Sequence, residues 1–413
     1  MAPSALPVGL PMPPDGVLPF GPLGPEPFSA YVHIPFCRVR CGYCDFNTYT
    51  ATELGGGANQ SNYAQTLRRE IALAARMMHD GDASLPTLRT VFFGGGTPTL
   101  LPARDLAAIL TALREEWELA PGAEVTTEAN PDSVDAATFK TLKAAGFTRV
   151  SIGMQSSDPA VLATLERTHN PENVGKAVRW ARDAGLDVSL DLIYGTPGES
   201  LDSWRRSLGD ALELAPDHVS AYALIVEEGT KLAAQVRRGE VPDIDDDDHA
   251  DKYVLADELL SAAGYTWYEV SNWARSAAHE SQHNLAYWRG YNWWGFGPGA
   301  HSHINGVRWW NVKHPTAYAG KLENGDTPGA GYEKLTPDQA HMEQVLLRSR
   351  IREGLPIAKL ARPGSGDTVD PGVIAGLIAR GLIDPQRALA GTIELTLQGR
   401  LLADAVVHEL LPT

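Results

Sequence analysis

Short apolar runs alternate with longer amphipathic segments between residue 28 and about residue 270. The short runs have the length and the β-branched content typical of strands, and the longer segments have the period of surface helices. Six strands that alternate with helices predict a parallel sheet with right-handed crossovers. This number of units is too small for a closed eight-unit barrel, so we predict an α/β fold with a partial barrel of six βα units and with functional groups at the carboxyl ends of the strands. The predicted strands are 29–34, 89–93, 123–128, 148–152, 187–193 and 218–224, and the predicted helices are 62–79, 103–118, 134–145, 171–184 and 199–214.

The pattern outside this region predicts three further segments. Residues 1–27 contain nine prolines and are expected to form a Pro-rich disordered leader. After the barrel, which we assign to residues 28–270, the chain is rich in aromatic residues, and we interpret residues 271–332 as a connecting segment. Residues 333–413 return to a helical pattern, which predicts a smaller, mainly helical C-terminal domain that ends in a capped helix over 395–411.

The charge balance argues against nucleic acid as a partner. The chain has 51 acidic and 35 basic residues and a net charge of −16, whereas phosphate binding needs a surplus of Lys and Arg. Part of the acidic surplus lies in the run 243–251, which is expected to start a helix because Asp favours helix N-caps. No stretch approaches the roughly 20 apolar residues that cross a bilayer, and the leader lacks the positive region of a secretory signal. We therefore expect a cytoplasmic protein.

The three cysteines of the chain lie within eight residues. Cys37, Cys41 and Cys44 have the spacing C-x3-C-x2-C. An odd number of clustered thiols does not suit a disulfide scaffold, whereas thiolates are the usual ligands of iron–sulfur clusters. Three thiolates on one loop can hold three corners of a cubane cluster and leave the fourth iron without a protein ligand. Structural zinc is the alternative, but it normally takes four ligands, and His33 is too close in sequence to be a comfortable fourth.

The segment YVHIPFCRVRCGYCDF, residues 31–46, resembles the cluster loop of the radical S-adenosylmethionine (SAM) superfamily. Its flanks YVHIPFC and CDFNTY are similar to a narrower family, the oxygen-independent coproporphyrinogen III oxidases and their relatives, and the resemblance extends from about residue 28 to the C-terminus. It implies a radical-SAM barrel in which these three cysteines hold a [4Fe–4S] cluster and SAM chelates the fourth iron. In such proteins the reduced cluster passes an electron to the sulfonium of SAM.

The same resemblance implies SAM-binding roles for residues at or beyond strand ends. The loop GGGTPT, residues 94–99, follows a predicted strand, and its glycines allow a ligand to approach the backbone closely. Carboxylates suit the ribose hydroxyls or the sulfonium of SAM, and an Arg suits its carboxylate. Taken singly, each of these side chains is more often a structural polar group. The predicted SAM-binding residues are Tyr31, Gly95, Gly96, Thr97, Glu128, Gln155, Arg167 and Asp191.

Residues 283–288, HNLAYW, match the HNxxYW motif of HemW-like haem chaperones, a branch of the same family. Imidazole is a common axial ligand of haem, and aromatic rings offer flat apolar surfaces to a porphyrin. Seven of the ten tryptophans lie between Trp267 and Trp310. The motif implies haem as a further cofactor, with His283 as its candidate ligand and His301 and His303 as lesser candidates. Without the motif, a hydrogen-bonded structural role for His283 is the ordinary interpretation.

Two functions compete for this pattern. The oxidases carry a fourth Cys two residues after the third, where this chain has Phe46, as in the haem chaperones. We therefore predict a haem chaperone that binds haem and a SAM-ligated cluster and delivers haem to acceptor proteins, with coproporphyrinogen III oxidase as the alternative. A radical-SAM enzyme acting on another tetrapyrrole is a third hypothesis, and no catalytic residue is identified. The resemblance further implies haem-acceptor partners, with respiratory membrane proteins as one candidate class, an electron donor that the sequence does not identify, and homodimers when the cluster is bound.

Overall fold

The computed structural model describes residues 7, 9–13, 16–50, 54, 59–78, 85–362 and 370–411. Its strands are β1 (Phe28–Ile34), β2 (Leu88–Gly95), β3 (Leu119–Ala129), β4 (Arg149–Gln155), β5 (Asp187–Tyr194), β6 (His218–Ala223), β7 (Thr266–Glu269), β8 (Asn272–Ala274), β9 (Asn292–Phe296), β10 (His301–Ile304), β11 (Val307–Asn311), β12 (Gly329–Lys334), β13 (Leu355–Pro356) and β14 (Thr392–Ile393). Its α-helices are α1 (Gln60–Met78), α2 (Ala103–Glu116), α3 (Ala136–Ala145), α4 (Pro159–Thr164), α5 (Glu172–Asp183), α6 (Leu201–Glu213), α7 (Lys231–Arg237), α8 (Asp246–Ala262), α9 (Gln282–Trp288), α10 (Pro315–Glu323), α11 (Pro337–Arg348), α12 (Pro371–Ala379), α13 (Pro385–Leu389), α14 (Leu397–Leu401) and α15 (Ala403–Leu410).

Strands β1 to β6 lie side by side in chain order, and each neighbouring pair is parallel. Parallel neighbours require crossover connections, and helices occupy every one of these connections. The predicted partial barrel of six βα units is thereby confirmed. Because the carboxyl ends of the six strands lie at one end of the barrel, the loops that follow them meet there.

The two faces of this sheet differ in polarity. Residues such as Val32, Val91 and Val125 belong to the main hydrophobic core. Strand alternation turns the intervening residues towards the interior of the barrel, which we call the lumen, and these residues are mostly polar. Closed barrels fill this space with branched apolar side chains. Here the polar lining leaves a cavity, and its residues include Thr126, Arg149, Ser151, Ser189 and His218.

The segment expected to connect two domains instead contributes strands on both sides of the six barrel strands in the same sheet. Strand β9 lies parallel to β1, with Ala30 opposite Trp294, and β10, β11 and β12 continue the sheet in antiparallel order. At the other edge β8 pairs with β6, and β7 pairs with β8. This corrects the interpretation of residues 271–332. These strands have three to six residues, which is too short for an alternating pattern to stand out in the sequence.

The described part of the Pro-rich leader lies against this extended sheet, which corrects the expectation of disorder for those residues. The backbone of Leu10 pairs with Tyr332 of β12, and the ring of Phe20 stacks on Trp309 with centroids 6.1 Å apart. Leu18 is buried in the main core. Proline removes hydrogen-bond donors but not apolar surface, so a Pro-rich strand can still cover a sheet edge.

The C-terminal residues have a hydrophobic core of their own, built around Val345, Leu355, Leu377 and Val406. Helices α11 to α15 surround this core together with the two-stranded sheet of β13 and β14. The single helix expected over residues 395–411 is two helices, because the chain leaves helical geometry at Leu402.

The acidic run at 243–251 starts a helix, as predicted. The carboxylate of Asp245 accepts hydrogen bonds from the backbone N–H groups of Asp247 at 2.9 Å and Asp248 at 3.2 Å, and α8 follows directly. Within the part of the chain that the structure describes, no helix has the length and apolar character needed to cross a membrane.

Candidate functional site

A pocket of about 180 Å³ opens at the carboxyl ends of β2 to β5. The three cysteines and seven of the eight predicted SAM-binding residues line it. The structure therefore brings together side chains that are dispersed from Cys37 to Asp191 in the sequence. The predicted residues that line the pocket are Cys37, Cys41, Cys44, Gly95, Gly96, Thr97, Glu128, Gln155, Arg167 and Asp191.

The cysteine loop between β1 and α1 is fixed by its own backbone. The N–H of Cys37 donates to the carbonyl of Tyr49 at 3.0 Å, and the N–H of Tyr49 donates to the carbonyl of Pro35 at 2.7 Å. A second anchor is the side-chain amide of Asn47, which donates to the carbonyls of Pro298 at 2.9 Å and Lys313 at 3.0 Å. The loop is thus held from both sides, and its three cysteines are free thiols.

The glycine loop after β2 packs directly on the cysteine loop. The N–H of Gly96 donates to the carbonyl of Ile34, and the N–H of Thr97 donates to that of Phe36, both at 2.8 Å. A Cβ atom on Gly96 would lie 2.5 Å from the oxygen of Phe36 and 3.0 Å from Sγ of Cys37. Only glycine permits this approach, so the cysteine loop requires glycine at position 96 whether or not a ligand is bound.

The buried environment of the thiols disfavours free thiolates and suits an iron–sulfur cluster. Burial raises the pKa of Cys37, and it raises the pKa of Cys44 to about 12, so these two thiols hold their protons when no metal is bound. A bound cluster displaces these protons, since metal ligation requires the thiolate. The guanidinium of Arg167, with Nη1 4.0 Å from Sγ of Cys41, would then face a negatively charged group.

The three thiols do not have the geometry of a site for one ion. Among the residues that the structure describes, no three His, Cys, Asp or Glu side chains converge as ligands of a single metal would. All three cysteines line the same pocket, and three thiolates on one loop suit three iron corners of a cubane.

Two carboxyl groups also line the pocket. Glu128 accepts a hydrogen bond from the N–H of Gly95 at 3.1 Å, and Asp191 accepts from the hydroxyl of Ser151 at 2.8 Å. Burial, together with the neighbouring charge of Asp191, raises the pKa of Glu128 to about 8, and burial also raises the pKa of Asp191. Buried acids of this kind gain from a cationic or hydroxyl-bearing ligand, and SAM carries both groups.

Arg167 is held by a residue that the sequence did not point to. Its Nη2 donates to the carbonyl of Gly153 at 3.1 Å, and its Nε donates to Nδ1 of His169 at 3.1 Å. His169 is 5% exposed, lines the pocket, and has no partner for its Nε2 among the described residues. Only its position two residues after Arg167 could have indicated it. Gln155 adopts a left-handed backbone at φ 64°, a conformation that non-glycine residues adopt mainly where function requires it.

Tyr31 is the one predicted SAM-binding residue that does not line the pocket. Its ring stacks on Phe92 with centroids 6.4 Å apart, and its hydroxyl lies 3.0 Å from Nδ1 of His33. Tyr31 therefore packs inside the barrel, on the face of β1 that is turned towards the lumen.

His283 lies on α9 and is 1% exposed. Both ring nitrogens have protein partners: Nδ1 is 2.7 Å from the hydroxyl of Thr90, and Nε2 is 2.9 Å from the hydroxyl of Tyr287. The ring also stacks on Phe92 at 5.0 Å, and burial lowers its pKa to about 3. The structure does not place His283 in the pocket, and this arrangement offers no nitrogen to haem iron.

Helix α9 is anchored to the amino-terminal end of the barrel. The carboxylate of Glu124 accepts from the backbone N–H groups of Gln282 and His283, each at 3.0 Å, and a carboxylate at a helix N-terminus is favoured by the helix dipole. The HNLAYW motif thus closes the lower end of the lumen.

Between α9 and the pocket the lumen contains a cavity of about 520 Å³, which is within the usual range for ligand sites. It shares Cys44, Glu128 and Asp191 with the pocket above. Its mouth carries Tyr222 and Ile225, which are 41% and 65% exposed. A further cavity of about 380 Å³ lies beside α9 and includes Trp288.

Comparisons with known proteins agree with this geometry. A family model described as the radical SAM superfamily matches residues 31–211. The chain is 51% identical over 391 residues to the haem chaperone HemW of Mycobacterium tuberculosis, an alignment that covers 94% of this chain and 96% of that protein. It is 33% identical over 382 residues to the haem chaperone HemW of Bacillus subtilis, covering 92% and 97% of the two chains.

The fold also resembles a solved enzyme structure. The structure of coproporphyrinogen III oxidase (HemN) from Escherichia coli superposes with a TM-score of 0.77 and 23% identity, covering 93% of this chain and 90% of that chain. At this level of identity the likeness shows a shared fold and no more.

Proposed function

Since the chain belongs to the HemW family of radical SAM haem chaperones, we propose that it binds haem and delivers it to acceptor proteins, with a SAM-ligated [4Fe–4S] cluster beside the haem. The observation that carries the proposal is the extent of the similarity, which covers 94% of the chain and thus reaches well beyond the residues 31–211 common to radical SAM proteins.

Different pocket residues are proposed to hold the cluster and SAM. Cys37, Cys41 and Cys44 are proposed to hold three irons, with the fourth iron open to the amino and carboxylate groups of SAM. When bound, the reduced cluster supplies an electron to the sulfonium. The glycine loop, with Gly95, Gly96 and Thr97, closes over the amino group, and Glu128, Gln155, Arg167 and Asp191 hold the polar groups of SAM. Tyr31 supports this wall from below.

The lumen is the proposed site of haem. Aromatic and aliphatic side chains at its mouth, among them Phe46, Tyr222 and Ile225, are 41–65% exposed, and exposed apolar groups gathered beside a cavity are typical of a ligand-binding groove. A porphyrin would cover them. His283 could ligate the iron only after giving up its hydrogen bond to Thr90 or Tyr287, so the sequence-based prediction of an axial ligand stays a prediction.

The partners follow from the same proposal. Haem acceptors are expected, with respiratory membrane proteins as one candidate class, together with an electron donor and homodimers that form when the cluster is bound. A reducing compartment suits three free thiols beside a cluster, and we therefore propose the cytoplasm as the location.

The deciding experiment compares haem transfer with oxidase activity in one preparation. The cluster is reconstituted anaerobically, haem is titrated by its Soret band, transfer to an apo-haemoprotein such as apomyoglobin is followed, and coproporphyrinogen III is assayed with SAM and a reductant. We expect haem binding and transfer without decarboxylation, since the chain has Phe46 where the oxidases carry a fourth Cys. Steady formation of protoporphyrinogen IX, or failure to bind haem, would overturn the proposal.

A further inference from the structure

We propose that Arg149 and Thr126, at the lower end of the lumen, form a receptor for a carboxylate group. Resting on the haem-binding function proposed above, the inference assigns this carboxylate to a propionate of haem. The receptor fixes which edge of the porphyrin enters the barrel first.

The two residues are neighbours on adjacent strands. Thr126 of β3 lies opposite Arg149 of β4 in the parallel register, and both line the cavity of about 520 Å³. Thr126 is 1% exposed, and its hydroxyl has no hydrogen-bond partner among the described residues. A buried hydroxyl without a partner costs free energy, and a ligand oxygen in the cavity would remove that cost.

The guanidinium of Arg149 also has N–H donors without an acceptor among the described residues. Its side chain is 5% exposed, and Nη1 donates to the carbonyl of His279 at 2.7 Å. In the described part of the chain this is the only hydrogen bond of the guanidinium. An Arg can donate five hydrogen bonds in a planar fork that matches a carboxylate, so donors remain for a ligand.

The nearest acid does not use up the charge of Arg149. Oε2 of Glu124 lies 3.8 Å from Nη1, outside normal hydrogen-bond range. The two oxygens of Glu124 instead accept from the backbone N–H groups of Gln282 and His283. Glu124 therefore offsets the charge of Arg149 only in part, while its hydrogen bonds go to α9.

Charges along the cavity are distributed so that a carboxylate is favoured at one end only. Arg149 is the only Lys or Arg among the described residues that line the cavity. His218 is neutral there, because burial lowers its pKa well below the usual value. The acids Glu128 and Asp191 occupy the upper end, and no Lys or Arg among the described residues that line the cavity lies there to attract a carboxylate. A flat ligand with carboxylates on one edge would therefore enter with that edge towards Arg149.

The test compares two ligands and a small set of variants. Haem carries two free propionate carboxylates, whereas in haem dimethyl ester both are neutral methyl esters, and the affinities of the two are measured by Soret titration on cluster-loaded protein. The variants are Arg149→Gln, Thr126→Val and Thr126→Ser. Arg104→Gln is the matched control, because the side chain of Arg104 is 84% exposed. Cluster absorbance serves as the check that each variant folds.

We expect the wild type to bind haem more tightly than the ester. Arg149→Gln should weaken haem binding roughly ten- to a hundredfold, the usual effect of losing a charged hydrogen bond, and should leave ester binding unchanged. Thr126→Val should weaken haem binding by a smaller factor than Arg149→Gln does. Thr126→Ser keeps the hydroxyl and should bind haem like the wild type. Arg104→Gln should leave the affinities for both ligands unchanged.

Equal weakening of both ligands by Arg149→Gln would show that Arg149 only anchors α9 through His279, and would overturn the inference. Wild-type protein that does not distinguish haem from its ester would overturn it as well, even if the Arg149 variant fails to fold. If the wild type binds neither ligand, the proposed haem function itself is wrong, an outcome that differs from the other two.

Discussion

The cysteine pocket and helix α9 carry the two most distinctive motifs of the chain, and the structure builds them in opposite ways. In the pocket, thiols and carboxyl groups border open space. In α9, His283 is 1% exposed and uses both ring nitrogens within the protein. A motif whose polar groups border open space is prepared for a ligand, whereas a motif whose polar groups are satisfied stabilises the fold.

The pKa values of Glu128 in the pocket and His283 in α9 also differ in what a ligand could change. Burial raises the pKa of Glu128 to about 8 and lowers the pKa of His283 to about 3, so each group is neutral near pH 7. Glu128 borders the pocket, where a cationic ligand would favour the ionised form of its carboxyl group. His283 does not line the pocket, and burial rather than a ligand decides that its ring is neutral.

The largest effect is expected from the cysteines. Replacing Cys37, Cys41 and Cys44 together by Ala should abolish the cluster, because the chain has no other cysteine to supply a thiolate. Loss of the broad visible absorption and of the EPR signal of the reduced protein is the measurement. A triple variant that still assembles a normal cluster would contradict the assignment of the pocket.

The next effect should come from α9 and should be on stability. His283→Ala removes a buried ring and leaves the hydroxyl of Tyr287 without its hydrogen-bond partner, while the hydroxyl of Thr90 keeps its bond to Ser29, so we expect the free energy of unfolding to fall by about 2–4 kcal/mol. His301→Ala is the matched control, since His301 is exposed, and it should change stability by less than about 0.5 kcal/mol. Chemical denaturation measures both.

Haem spectra of the same His283 variant test the comparison directly. If α9 is structural, the Soret band of bound haem keeps its position in His283→Ala. A shifted band would show that α9 rearranges to offer His283 to the iron, and the contrast between the two regions would then hold only before haem binds.

A smaller effect is expected for SAM affinity. Asp191→Asn keeps the shape of the side chain and removes its charge, and it should weaken SAM binding roughly tenfold or more, measured by the change that SAM causes in the EPR spectrum of the reduced cluster. Asp187→Asn is the control, because Asp187 is exposed at the other end of the same strand. Equal SAM affinity in both variants would remove Asp191 from the pocket assignment.

The smallest effect concerns pH and the protein without SAM. An unfolded Glu titrates near pH 4.3, whereas the pKa of Glu128 in the fold is about 8. Its raised pKa therefore favours the fold below the unfolded pKa, and this contribution is lost as pH rises through about 8. Gln cannot ionise, so Glu128→Gln should melt about 2–4 °C higher than the wild type at pH 8 and close to it at pH 5.

The stabilised Glu128→Gln variant should also bind SAM more weakly, since the group that destabilises the free protein is the one proposed to meet SAM. Glu118→Gln, at an exposed position just before β3, should change neither property. If Glu128→Gln shows the same melting difference at pH 5 and pH 8, ionisation of Glu128 is not its cause.

The six barrel strands could be predicted because each is a short run rich in β-forming residues and bounded by helical segments. The predicted strand 187–193 is β5, Asp187–Tyr194, and the predicted helix 103–118 is α2, Ala103–Glu116. The pocket could be predicted because parallel strands place the residues that follow them at one end. The contacts between the glycine and cysteine loops, by contrast, depend on the register of β1 with β2 and are visible only in the structure.

The remaining elements could not be predicted because they depend on partners distant in the sequence. Strand β9 is defined by pairing with β1, and the described residues of the leader are held by contact with β12 and Trp309. The face of α9 that carries His283 is turned inward by Glu124, which lies more than 150 residues earlier. The motif HNLAYW shows the residue types but not the direction in which they point.

The pairing of β1 with β9 has a consequence for the order of events on the ribosome. Phe28 begins β1 and lies opposite Asn292 of β9, and Asn47 of the cysteine loop is held by the carbonyls of Pro298 and Lys313. The cysteines emerge first, but the residues that fix their loop are synthesised some 250 residues later. Pairings across such distances form slowly. Cluster insertion should therefore follow the completion of the chain, and until then both the thiols and the open edge of β1 depend on the cell to protect them from oxidation and from pairing with the wrong strand.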